Sequence, residues 1–308
     1  MEMIILKKVL LLTCFIIFIP YLIISLFIRD DEIKFKYASN MVVRVKQTQN
    51  DKIIKVPFED YIVGVLAGEM PVSFELEALK AQAVAARSYV MNKMYYNKDK
   101  DYDVVDTVTN QVYLDKDNLK SVWKEDYIVK VNKIKQAVLE THNEYMEYNG
   151  KIVDAMFFST SVGKTENSED VFPNEVPYLR SVSSSWDEIS PVYEVDYSFS
   201  LIEFYKKLGL KYQDKIEYKV LSSTSTGRVK KIKINNKTFD GFDVVTALNL
   251  KSNYFVIKQS DSSVDITTKG YGHGVGMSQY GAQAMALQGY KYDEILNHYY
   301  QGISIEKF

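Results

Sequence analysis

Glu69 is the residue whose setting in the sequence says most about chemistry. Ile62, Val65, Leu66 and Glu69 follow the i, i+3, i+4, i+7 spacing of one helical face. A carboxylate therefore shares a stripe with core residues, near the end of a helix predicted from Phe58 to Met70 and closed by Pro71. Burial disfavours the charged form, and the negative end of the helix dipole acts in the same direction, so the carboxyl pKa is expected to rise. Such a group can donate a proton near neutral pH, as protonation of a glycosidic leaving oxygen requires. A structural Glu paired with a cation is the alternative. Arg87, among Ala85, Ala86 and Val90, is the candidate partner, and spacing alone leaves the two readings balanced.

The second constellation runs from Gly270 to Gln283, GYGHGVGMSQYGAQ, where alternating glycines let the backbone approach another chain or a ligand before a helix starts. A phosphate cradle would need a lysine after the glycines or the G-x-G-x-x-G spacing with its downstream acid, and neither is present. His273 is left as the polar tool of this loop. His142 and His298 have no partner at zinc-site spacing. Cys14, the only cysteine, lies in an apolar N-terminal run, so the remainder of the chain has no thiol for a disulfide, a metal or nucleophilic attack.

The elements that would position these groups are mixed. Val43 and Val45 alternate with Arg44 and Lys46 as in a strand, and an Ala-rich helix is expected from about Phe74 to Tyr95, with a third from Leu119 to Leu139. Asn149-Gly150 marks a two-residue hairpin turn, and Ser200-Leu201-Ile202-Glu203 reads as a capping box opening a short helix that Gly209 ends. Paired strands follow at about Lys215–Leu221 and Arg228–Ile234. The expected fold is α+β, a body of one or two lobes.

The chain is 46% apolar and 25% charged, ordinary globular composition. A net charge of −2 argues against a nucleic-acid partner. Val9 to Ile28 is a twenty-residue run without a charge, long enough to span a membrane. Lys7 and Lys8 precede it, while Asp30, Asp31 and Glu32 follow Arg29, so the body is expected on the extracytoplasmic side of a single-pass anchor. The run exceeds a signal-peptide core and no small-residue cleavage pattern follows. The expected organisation is a cytoplasmic stub and transmembrane helix over 1–30, a short linker over 31–40 and one folded region over 41–308.

Three stretches, Val56–Ile62 (VPFEDYI), Gly68–Pro71 (GEMP) and Ala78–Tyr89 (ALKAQAVAARSY), resemble the SpoIID family of sporulation cell-wall enzymes. The resemblance continues through Phe158–Asp170, Pro177–Val182, the Gly-His-Gly loop and Tyr299–Gly302. It implies a lytic transglycosylase that cleaves between N-acetylmuramic acid and N-acetylglucosamine to leave 1,6-anhydro ends, on glycan strands whose stem peptides an amidase has removed. It also implies that Glu69, the Glu of Glu-Met-Pro, is the catalytic acid. Arg87, Tyr178, Arg180, Asp187, His273, Ser278 and Gln279 would line or support a glycan groove. A wall amidase and an engulfment membrane protein are the implied partners, in the engulfing mother-cell membrane. Related domains also resemble amidase enhancers, so a non-catalytic binding module or scaffold is the competing reading. Some relatives bind zinc beside the Ser-Thr-Ser segment, but Met156, Phe157 and Phe158 stand there, and neither metal nor cofactor is expected.

Overall fold

A computed structural model describes residues 13, 15, 16, 18, 19, 31–35, 41–261 and 263–308. Among them no helix is long and apolar enough to cross a membrane. The anchor expected over Val9–Ile28 lies outside the described residues, apart from Thr13, Phe15, Ile16, Phe18 and Ile19, which are helical.

The fold is α+β, with five small sheets and two separate groups of buried apolar residues among the described residues. The larger core runs from Val43 to Leu179 and resumes from Val275 to Ile303. The smaller holds Phe199 to Ile266. The chain therefore leaves the first lobe, builds the second from strands Glu194–Ser200, Tyr218–Ser223, Val229–Ile234, Lys237–Asp240, Phe255–Gln259 and Ser263–Lys269 with two short helices, and returns through the glycine-rich segment. The Gly-His-Gly loop is the place where the chain re-enters the first lobe.

In the first lobe, Val42–Lys46 pairs antiparallel with Ile53–Pro57, burying Val43 and Val45 completely. Helix Phe58–Glu69 follows without a break, and Ile62, Val65 and Leu66 are fully buried as the stripe requires. Its neighbour Leu76–Tyr96 is enclosed by helices Phe58–Glu69, Tyr127–Glu140, Gln279–Leu287 and Tyr292–Tyr299. Its alanines, Ala78, Ala81, Ala83, Ala85 and Ala86, let these neighbours approach from several sides and are all buried. Asn149 (φ 49°) and Gly150 (φ 75°) form the expected hairpin turn, and Ser200 caps helix Leu201–Lys207 by accepting the Glu203 N–H.

Two expectations are corrected. The helix expected over Leu119–Leu139 is broken into Lys116–Trp123, a 3-10 turn at Lys124–Asp126 and Tyr127–Glu140, with Lys124 at φ 48°. Leu119, Trp123, Tyr127 and Val131 keep helical spacing across the break, and that hid it. The polar segment read as a linker is, at its start, part of the body. Glu32 pairs with Lys116 and Lys135 at 2.8 Å each, and Asn132 bonds both the Ile33 N–H and the Asp31 carbonyl.

Candidate active site

Two glycines four residues apart determine where Glu69 points. A Cβ on Gly64 would lie 2.4 Å from the Tyr113 ring, and one on Gly68 would lie 2.8 Å from the Val112 carbonyl oxygen. Their bare faces let the segment Val112–Leu114 lie against the helix, and the Leu114 N–H donates to the Gly64 carbonyl. This approach brings the Val112 N–H to Glu69 Oε1 at 2.6 Å. The Glu69 backbone carbonyl accepts from Gln279 Nε2 at 3.0 Å, tying the helix end to the start of helix Gln279–Leu287.

Glu69 is half-buried and opens into a cleft of about 830 Å³. Burial pushes its pKa up, against the opposing bond from Val112. The walls are largely apolar or aromatic, from Phe157, Phe158, Phe172, Tyr271 and Tyr280, with Tyr89, Asn110, Ser159, His273 and Gln279 as polar points. Among the described residues that line the cleft, Glu69 is the single carboxylate. An acid of raised pKa in such a cleft can protonate a leaving oxygen, and the aromatic faces suit sugar rings.

His273 lines the cleft, with Nδ1 turned to the backbone. Nδ1 accepts the Val275 N–H at 3.1 Å, and the ring sits between Phe158 and Phe172, with centroids 5.7 and 5.6 Å away. Burial, and then the Arg228 guanidinium, push its pKa down to about 4, so it is neutral at physiological pH and serves as wall.

The remaining expected residues do not line this cleft. Arg87 does not pair with Glu69. It grips Glu59, at the other end of the same helix and about 15 Å away along its axis, with Nε–Oε1 3.0 Å and Nη2–Oε2 2.9 Å, and also bonds Thr141 and the Val138 carbonyl. Full burial of its guanidinium demands such a complete set of acceptors. The Tyr178 hydroxyl accepts the Asp154 N–H at 3.0 Å and its ring meets Tyr148. Arg180 is held by Glu169, Glu175 and Ser168. Asp187, fully buried, accepts from the Ser161 N–H at 2.7 Å, from Ser184 Oγ at 2.5 Å and from Ser278 Oγ. Ser278 in turn caps helix Gln279–Leu287 through the Gly281 N–H, so this pair supports Gln279 from behind.

Sequence reasoning gave no role to Tyr89, Asn110, Phe172 or Tyr271, all of which line the cleft. Tyr89 carried a faint signal, two residues beyond Arg87 in a helix otherwise lined with small residues. Asn110 carried none, because its role depends on a loop folding back onto the helices.

The two-lobed α+β fold with Glu69 in an aromatic cleft has relatives. The chain belongs to the SpoIID family: the model of that family, described as Stage II sporulation protein, matches residues 46–148. Stage II sporulation protein D of Bacillus subtilis (strain 168) is 42% identical over 275 residues, covering 88% of this chain and 80% of that protein. The protein of the same name from Bacillus amyloliquefaciens is 43% identical over 275 residues, covering 87% and 80%. A protein named amidase enhancer, from Bacillus subtilis (strain 168), is 32% identical over 301 residues, covering 80% of this chain and 40% of that one.

Proposed function

We propose that this SpoIID family sporulation protein is a peptidoglycan lytic transglycosylase acting on peptide-free glycan strands, with Glu69 as its acid and base. The observation that carries the reading is that Glu69 is the one carboxylate among the described residues lining the cleft. Hydrolytic glycosidases use a carboxylate pair, one for the leaving group and one for water or the sugar. A lytic transglycosylase needs one, because the substrate brings its own nucleophile. Protonated Glu69 gives its proton to the glycosidic oxygen as the bond to the muramic anomeric carbon breaks. The resulting carboxylate then takes the proton of the muramic C6 hydroxyl as that oxygen closes on the same carbon, leaving a 1,6-anhydro end and a restored acid. Attachment of the nucleophile to the sugar supplies proximity, and the cleft has only to hold the ring in the reactive shape.

In this reading Val9–Ile28 anchors the protein in the cell membrane, N-terminus cytoplasmic and body outside, in the membrane that carries out engulfment. A wall amidase prepares the strands, and a second membrane protein of the engulfment machinery keeps the enzyme in place. The similarity to a protein named amidase enhancer supports a second reading, a glycan-binding module that stimulates an amidase without cutting.

The test is incubation of the purified chain and its Glu69→Gln variant with peptide-free strands, with product ends identified by mass spectrometry. Anhydro-muramic ends from the unmodified chain alone support the transglycosylase. Reducing ends would mean a hydrolase, and binding without cleavage by either would favour the enhancer reading.

A further inference from the structure

Tyr89 stands on helix Leu76–Tyr96 and lines the same cleft as Glu69. Its hydroxyl is bonded to Asn110 Nδ2 at 3.1 Å. The Asn110 amide is not free to turn, because its Oδ1 accepts the Val105 N–H at 2.9 Å and a backbone N–H can only donate. The Nδ2 group is therefore the donor to Tyr89, and the phenol oxygen is the acceptor. A phenol carries one proton besides its lone pairs. Among the described residues no protein group accepts that proton, and Tyr89 and Asn110 both line the cleft. The Lys93 ammonium lies over the ring, 4.7 Å from its centroid, and is fixed to Asp154 at 2.9 and 3.0 Å.

We propose that Tyr89 is a second catalytic residue of the cleft: it donates a hydrogen bond to an oxygen of the sugar on which Glu69 acts, and Asn110 is the positioning residue that sets the direction of that bond. The inference rests on the glycan-cleaving reading. Burial pushes the phenol pKa up to about 12, so Tyr89 keeps its proton at neutral pH. It does not exchange protons with the substrate; both transfers remain with Glu69. The fixed bond holds the sugar ring in the shape that brings the C6 hydroxyl over the anomeric carbon, a contact that strengthens as the bond breaks.

Two variants of nearly unchanged shape test this. Tyr89→Phe removes the proton and keeps the ring. Asn110→Asp keeps the acceptor for Val105 but replaces the donor with an oxygen, so that the Tyr89 proton turns to the new carboxylate and away from the cleft. The full chain in detergent is assayed on peptide-free glycan strands, with kcat and KM separated and thermal melts run in parallel. The expected result is a fall in kcat of about tenfold or more in each variant with KM little changed, and a double variant no slower than either single. Additive losses, or losses that follow the melting temperature, would mean a structural role and overturn the proposal. Unmodified turnover in Tyr89→Phe overturns it as well while leaving the glycan-cleaving reading intact. A wild-type chain that cuts no glycan overturns both.

Discussion

Arg228 and Glu166 meet in full burial, Nε 3.3 Å from Oε1, directly beneath Gly274. Arg228 immediately precedes strand Val229–Ile234 of the second lobe, while Glu166 belongs to the first and donates its own N–H to the Gly274 carbonyl at 2.7 Å. Arg228 Nη1 also reaches the Gly272 carbonyl at 2.8 Å. The loop that carries His273 is thus bolted to both lobes by one ion pair.

Removing one partner strands the other charge in the interior. Arg228→Met is expected to lower unfolding free energy by about 3–5 kcal/mol, and Arg228→Met with Glu166→Leu to recover much of that loss. Urea unfolding followed by circular dichroism measures both. Equal destabilisation in the single and double variants would show that the pair holds the loop by shape and not by charge.

Arg87 makes a matching prediction with a different signature. Arg87→Lys keeps the charge but loses the fork that holds Glu59, Thr141 and Val138, and should destabilise by about 3 kcal/mol or more. Since Arg87 does not line the cleft, the fraction still folded at low temperature should turn over glycan at the normal rate.

Glu69 is expected to trade stability for chemistry. Its folded pKa lies above the unfolded value, so its contribution is present below the unfolded pKa, near 4.5, and is lost as pH rises through the raised folded value. Glu69→Gln removes this loss while keeping an acceptor for the Val112 N–H. The variant should melt at a higher temperature than the unmodified chain at pH 7.5, with the difference vanishing at pH 4, and should make no anhydro ends. An unmodified chain that proved the more stable at pH 7.5 would mean a compensating cation.

Gly68→Ala tests how closely the Val112 segment must approach. A Cβ placed 2.8 Å from the Val112 oxygen has to push that segment outward, lengthening the bond from its N–H to Glu69. A stability loss of about 1–3 kcal/mol is expected, with a larger proportional loss of glycan cleavage than of folded protein. Cleavage assayed at 10 °C, beside a melt, separates the two.

Much of the first lobe's local order could be read along the chain. The stripe Ile62, Val65, Leu66, the turn at Asn149-Gly150 and the Ser200 cap depend on residues a few positions apart, and helical, strand and turn periodicities record such relations directly. Glu69 was legible for the same reason, since its place on an apolar face is a local fact. The partner of Arg87 was not, because Glu59 and Glu69 are equally available in a one-dimensional reading and only the packing of two helices chooses between them. The break at Lys124 was hidden because the spacing of Leu119, Trp123, Tyr127 and Val131 continues through it. The meeting of Asn110 with Tyr89, and of Glu166 with Arg228, joins segments 21 and 62 residues apart in sequence. Each such pair forms only because the surrounding cores bring two distant stretches to one point. Sequence alone therefore determined the faces of the elements and the place of Glu69 at the helix end, while tertiary packing decided which charges are partners, which aromatic rings wall the cleft and where the second lobe is fastened to the first.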